Sequence, residues 1–175
     1  MTNNNNKSHT CSSLQACRNP SGDSCSWYRD CLNRFNPCSS SPSDEYALTY
    51  GNHYCTKYEN NLNKFSSQAQ QWIGKVRKCL QLALKTQLGS GISCSNLKVE
   101  AFDSHTKCYV DSGFCELPLS DYVEITKLVG NALLPFSGGA FRTVLNGGST
   151  FASCAARYAS ALGSEFSSVV DDLLG

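Results

Sequence analysis

The stretch FSSQAQQWIGKVRKCLQLA, residues 65–83, decides the fold. Its apolar positions Phe65, Ala69, Trp72, Ile73, Val76, Cys79, Leu80 and Ala83 follow one another at steps of 4, 3, 1, 3, 3, 1 and 3, the recurrence of one face of an α-helix. Ser67 with Gln70 three residues on reads as a capping box, and Gly89 lies just past the end. Upstream, Ser41-Pro42-Ser43-Asp44 offers a capping serine, proline at the first helical position and an early acid, all suited to exposed N-terminal amides. The stripe Ala47, Tyr50 with Gly51, Tyr54 with Cys55, Tyr58 and Leu62 follows. A shorter helix before it holds Cys25, Tyr28, Cys31, Leu32 and Phe35, and Asn36-Pro37 stops it.

Downstream, Ser95 is placed to cap a helix whose face carries Cys94, Leu97, Ala101, His105 and Cys108. Ser120-Asp121 opens another, with Ile125, Leu128, Val129, Ala132 and Leu133 inward and Pro135 beyond its end. After two glycine pairs, Phe151, Cys154, Ala155, Tyr158 and Leu162 begin a last helix. Period-two alternation is scarce, so the expected fold is all-α, a disulfide-linked bundle of about five to six helices. The expected organisation is a disordered N-terminal segment, 1–10, and a single disulfide-rich helical domain, 11–175, with a Gly-rich loop near 135–149 before the C-terminal helix.

Charge and composition exclude several classes. Fifteen Lys and Arg against 14 Asp and Glu leave a net +1, so no global field recruits nucleic acid or an anionic membrane. No segment reaches the roughly 18 uninterrupted apolar residues that span a bilayer. The stretch 128–156 is the poorest in charge, with Arg142 alone, and packing under the bundle is its expected role, lipid or partner contact the alternative. Residues 1–7 lack the apolar core of a secretory leader, so a trimmed mature chain with an added methionine is expected. Asn6-Lys7-Ser8 is a glycosylation sequon.

Eleven cysteines in 175 residues point to an oxidising compartment and a secreted protein. No two are separated by two residues, which argues against the paired ligands of a structural zinc site and against a dithiol redox centre. Neither a metal nor a cofactor is expected. Structural bridges are the better reading; spacing alone does not give their pairing, and the odd count leaves one sulfur free or joined to a second chain.

The order of spacings carries a resemblance. Twenty-three residues separate Cys55 from Cys79, 13 separate Cys94 from Cys108, Tyr109 follows, and six residues precede Cys115. With Phe65 and the amphipathic helix before Cys79, this resembles the framework of the stanniocalcins, secreted helical glycoprotein hormones that also carry eleven cysteines. The resemblance implies bridges Cys17 to Cys31, Cys25 to Cys55, Cys38 to Cys94, Cys79 to Cys108 and Cys115 to Cys154, leaving Cys11. The family's inter-chain cysteine lies beyond the equivalent of Cys154, where this chain has none, so a homodimer would need Cys11 instead. Spacings between Cys25, Cys31, Cys38 and Cys55 are longer than the family's, and its glycosylation site has no counterpart at Asn6.

Candidate chemistry is sparse. Asp103-Ser104-His105 holds the residue types of a hydrolytic triad, yet helix neighbours point about 100° apart and cannot form the relay. A small secreted hydrolase would need His105 oriented by a distant carboxylate; a histidine packed near the Cys79 to Cys108 bridge is the simpler reading. Tyr46, Tyr50, Tyr54 and Tyr58 recur every four residues, for burial against the next helix or a π-lined groove. Trp27-Tyr28-Arg29-Asp30 reads first as core aromatics beside an Arg to Asp pair, and Lys75, Arg77 and Lys78, largely off the apolar face, read first as a solvated helix face. As the alternative, Trp27, Arg29, Lys75, Arg77 and Lys78 are the candidate binding surface, because Trp and Arg dominate interface hot spots and the cations suit a glycosaminoglycan or acidic partner. The expected function is therefore a secreted, non-enzymatic signalling or regulatory protein that binds an extracellular receptor or protease. The alternatives are a membrane-active defence or toxin protein and the hydrolase.

Overall fold

The computed structural model describes residues 14–133 together with Cys154, and among them every regular element is a helix. Helix α1 is Leu14–Cys17. Helix α2 covers 26–35 and contains a π-turn at Tyr28–Asn33. Helix α3 passes from a second π-turn, Ala47–Asn52, directly into the regular His53–Glu59. Helices α4, Ser67–Leu84, and α5, Cys94–Asp111, are the longest, and α6 is Leu119–Leu133. The chain is all-α and disulfide-linked.

Helix α4 buries Ala69, Trp72, Ile73, Val76 and Leu80, as the stripe requires, and ends on Leu84 in place of Ala83, with two local differences. Its cap is Ser66 rather than Ser67: the Ser66 hydroxyl accepts the Ala69 N–H at 3.1 Å, and Gln70 donates to the Leu62 and Phe65 carbonyls instead of closing a box. Near the C-terminus Ala83 is exposed and Gln81 turns inward. The buried Gln81 amide donates to the Ser24 carbonyl at 2.8 Å, so it does not lose its polar partner on leaving water.

Helix α5 runs back along α4, with Trp72 meeting Tyr109, Cys79 meeting Cys108 and Gln87 meeting Glu100. Ser93, not Ser95, is its cap, accepting the Asn96 N–H at 3.3 Å. Between the two helices Asn36 locks the turn: its amide donates to the Gln87 carbonyl at 2.9 Å and accepts the Gly89 N–H at 3.3 Å. Asp121, buried at the start of α6, accepts both the Ser66 N–H at 2.8 Å and the Ser66 hydroxyl at 2.5 Å. One serine thus caps α4 and anchors α6.

Ser41-Pro42-Ser43-Asp44 does not begin a long helix. It forms a 3-10 turn, Pro42–Asp44, after which Glu45 is extended (φ −68°, ψ 110°) and the chain restarts. The Glu45 carboxylate then accepts the Leu48 and Thr49 N–H groups at 2.8 and 2.7 Å, taking the capping role at α3.

The core has two parts. The first gathers Trp27, Tyr28, Leu32, Tyr46, Ala47, Leu84, Leu88, Leu97 and Ala101. The second gathers Tyr58, Phe65, Trp72, Ile73, Val76, Leu80, Leu117, Ile125 and Leu128. Five disulfides tie the helices: Cys17–Cys31, Cys25–Cys55, Cys38–Cys94, Cys79–Cys108 and Cys115–Cys154, with Cα atoms 5.5, 5.6, 5.8, 5.6 and 5.1 Å apart. These are the pairs that the stanniocalcin framework implies. Segment 1–10 with Asn6, Cys11, the Gly-rich loop near 135–149 and all of the last helix except Cys154 lie outside the described residues.

Candidate functional site

The five residues of the candidate surface do not come together. Trp27 on α2 is buried, its indole N–H donating to the Cys17 carbonyl at 2.9 Å and its ring meeting Tyr28 edge-on at 5.5 Å. It is part of the core because the Cys17–Cys31 bridge draws α1 over it. Arg29 points to solvent and pairs with Asp30 at 2.7 Å. That hydrogen bond holds the Asp30 carboxyl below its ordinary value and raises the guanidinium.

Arg77 is not part of an open surface either. Its guanidinium donates to the Gly22 carbonyl and to the Glu59 carboxylate, clamping the loop before α2 and the end of α3 onto α4. Gly22 makes that approach because it has no side chain. Its φ is +84°, and a Cβ there would lie 2.4 Å from that of Lys78. Lys75 and Lys78, by contrast, are exposed on α4.

His105 is packed between aromatic rings, with Tyr46, Phe102 and Tyr109 centroids 6.2, 5.8 and 5.7 Å away. Its Nδ1 lies 2.6 Å from the Ala101 carbonyl, which also accepts the Ser104 hydroxyl at 2.7 Å. Burial lowers the imidazole pKa, and Asp103 is exposed. The Asp103-Ser104-His105 segment therefore spends its serine and histidine on one backbone carbonyl and forms no relay.

The tyrosine stripe divides between the two cores. Tyr46 and Tyr50 stack at 6.2 Å with planes 6° apart, and both meet Phe102 edge-on, at 5.5 and 5.2 Å. Tyr58 turns to Phe65 and Trp72 at 5.9 and 6.4 Å. The π-turn supplies the change of direction, since its wider repeat, seen in the bond from the Gly51 N–H to the Tyr46 carbonyl at 2.9 Å, rotates later residues away from four-residue register. Burial raises the Tyr46 and Tyr58 hydroxyls and pushes Tyr109 up to about 12.

Cys25, Cys55 and Glu59 bring ligand-type atoms within 4.8 Å of one another, but the two sulfurs are bonded together and offer no thiolate. Among the described residues no helix is long and apolar enough to cross a membrane. Sequence reasoning missed the buried polar links Asn36, Gln81 and Asp121. Only Asp121 carried a signal, as the acid in the first turn of a helix.

The fold defines a class, a multiply disulfide-linked helical protein in which His105 and the bonded cysteines are engaged in packing. Comparison with protein-family models, with curated proteins and with solved structures finds no match to this chain.

Proposed function

We propose that this chain is a secreted, non-enzymatic signalling or regulatory protein that works by binding an extracellular receptor or protease through a rigid surface, as its resemblance to the stanniocalcins implies. The observation that carries the reading is the set of five intrachain disulfides, which is compatible with an oxidising extracellular setting and ties the helices to one another. A surface held this way loses little conformational freedom on binding, which favours affinity. The engagement of His105 and the bonded cysteines in packing supports a binding role over a hydrolytic one.

The test is binding of the oxidised, labelled protein to intact cells and to a panel of secreted proteases. Saturable binding or stoichiometric inhibition that disappears after reduction and alkylation is expected. Non-saturable binding to every cell type together with no effect on any protease ends the reading. Non-reducing electrophoresis checks the homodimer: a Cys11→Ser variant converts a dimer to monomer if Cys11 is the link.

A further inference from the structure

From residue 60 to residue 99 the chain contains no Asp or Glu but six cations: Lys64, Lys75, Arg77, Lys78, Lys85 and Lys98. The whole chain carries 15 cations and 14 anions, so the remainder holds nine cations and 14 anions. Charge that is balanced globally is thus segregated onto α4 and its flanks.

The structure sorts these cations. Arg77 is held by Glu59 and Gly22, and the Lys98 ammonium donates to the Ser43 carbonyl at 2.7 Å. Lys75 and Lys78 are exposed and Lys85 half-buried, and among the described residues none of their ammonium groups makes an ion pair or hydrogen bond. Gln71, Lys75, Lys78, Leu82 and Lys85 follow at steps of 4, 3, 4 and 3 along the side of α4 opposite Ala69, Val76 and Leu80. Lys75 and Lys85 are ten residues apart, about 15 Å along a helix. Leu82, the one apolar member of this row, is half-buried. Among the described residues the exposed large apolar side chains are Leu48 and Val99, which lie on α3 and α5, so the α4 stripe lacks the exposed apolar anchors of a protein interface or a membrane-inserting face.

We propose that this stripe is a binding site for a linear sulfated polysaccharide, the three lysines meeting successive sulfate groups and Gln71, exposed at one end of the row, donating to a sugar hydroxyl. Choosing a polysaccharide over another polyanion rests on the extracellular reading; the site itself does not. Ammonium groups on flexible stems suit a repeating anion whose charge positions vary, whereas fixed bidentate recognition would call for arginine.

The experiment runs the oxidised full chain over immobilised heparin and over a sulfonate cation exchanger of equal charge density, beginning at 0.15 M NaCl. Retention on heparin with elution at higher salt than from the sulfonate resin is expected. The triple variant Lys75→Gln, Lys78→Gln, Lys85→Gln should bind heparin about tenfold or more weakly, with unchanged far-ultraviolet circular dichroism. The variant Lys107→Gln, Lys127→Gln, which removes two lysines already paired with Asp111 and Glu124, should elute with the wild type. Equal elution of the triple variant and wild type, equal retention on both resins, or tighter binding to phosphatidylserine vesicles than to heparin would each overturn the proposal. Cell or protease binding that survives in the triple variant separates this site from the function proposed above.

Discussion

Around Tyr28, Leu32, Tyr46 and Leu97 the chain packs short and irregular helices, two of them with π-turns, and three bridges, Cys17–Cys31, Cys25–Cys55 and Cys38–Cys94, join them. Around Trp72, Val76, Leu80 and Ile125 it packs α4 against the later half of α5 and the start of α6, regular helices with serine caps at α4 and α5 and two bridges. A helix of four residues or a mixed turn cannot hold itself, because nucleation costs more than a few hydrogen bonds return. The first region therefore depends on covalent closure, and the second on an apolar face and its caps.

The comparison is tested hardest by removing bridges. Cys38–Cys94 closes the longest loop, a separation of 56 residues, so Cys38→Ala with Cys94→Ala should cost about 4 kcal/mol, against about 3 kcal/mol for the Cys17 and Cys31 pair at a separation of 14. Urea denaturation of the two double variants checks the order. In the fully reduced protein, hydrogen exchange should show α4 amides outlasting those of α2 and α3. Equal protection in both regions would break the comparison.

In the second region the most exacting contact is Asp121 with Ser66. Asp121→Ala removes the carboxylate that accepts two hydrogen bonds and leaves the Ser66 N–H without that partner, a loss of about 3 kcal/mol. The same urea series reads it, and a loss under about 1 kcal/mol would mean that α6 contributes little to the hold on α4.

The first region offers a smaller steric test. Gly51 in α3 lies against Tyr28, where a Cβ would fall 2.4 Å from the ring. Gly51→Ala should cost about 2 kcal/mol through displacement of the buried tyrosine, although alanine favours helix. An unchanged or raised thermal midpoint would show that the π-turn region yields easily.

The same division explains what was legible in the sequence. The α4 stripe, the inward set Leu97, Ala101 and Cys108, and the pair Ile125 and Leu128 could be read because long regular helices repeat their burial at 3.6 residues. The start of α3 could not. Pro42 suggested a helix that Glu45 interrupts, and the tyrosine period of four concealed a turn that sends Tyr46 and Tyr58 to different cores. Of the candidate surface, Lys75 and Lys78 were placed by their distance from the apolar face of one helix. Trp27 lies in the core and Arg29 pairs with Asp30, the first reading of that cluster. Arg77 was misplaced because its partners, the Gly22 carbonyl and Glu59, come from segments that only the tertiary fold brings near.

The smallest predicted effect acts at the seam. His105 touches Tyr46, which belongs to the first core, and Tyr109, which packs on the second. Burial sets its folded pKa below the ordinary 6.5, with the Ala101 carbonyl pulling weakly the other way, while in the unfolded chain the imidazole titrates at its ordinary value. Between those two values the unfolded chain holds more protons, so stability rises with pH across that window. It is fully present above about pH 7 and declines as the pH falls through 6.5 toward the folded value. Tyr46 and Tyr109 are both raised far from this range, so neither titrates in competition, and Phe102 does not titrate. Urea midpoints measured from pH 8 to pH 5 should fall for the wild type and stay flatter for His105→Gln, which keeps a polar group near the Ala101 carbonyl but takes up no proton. Parallel profiles would mean that the seam opens to water easily enough to admit the imidazolium, and that the aromatic contacts between the two cores do not keep it dry.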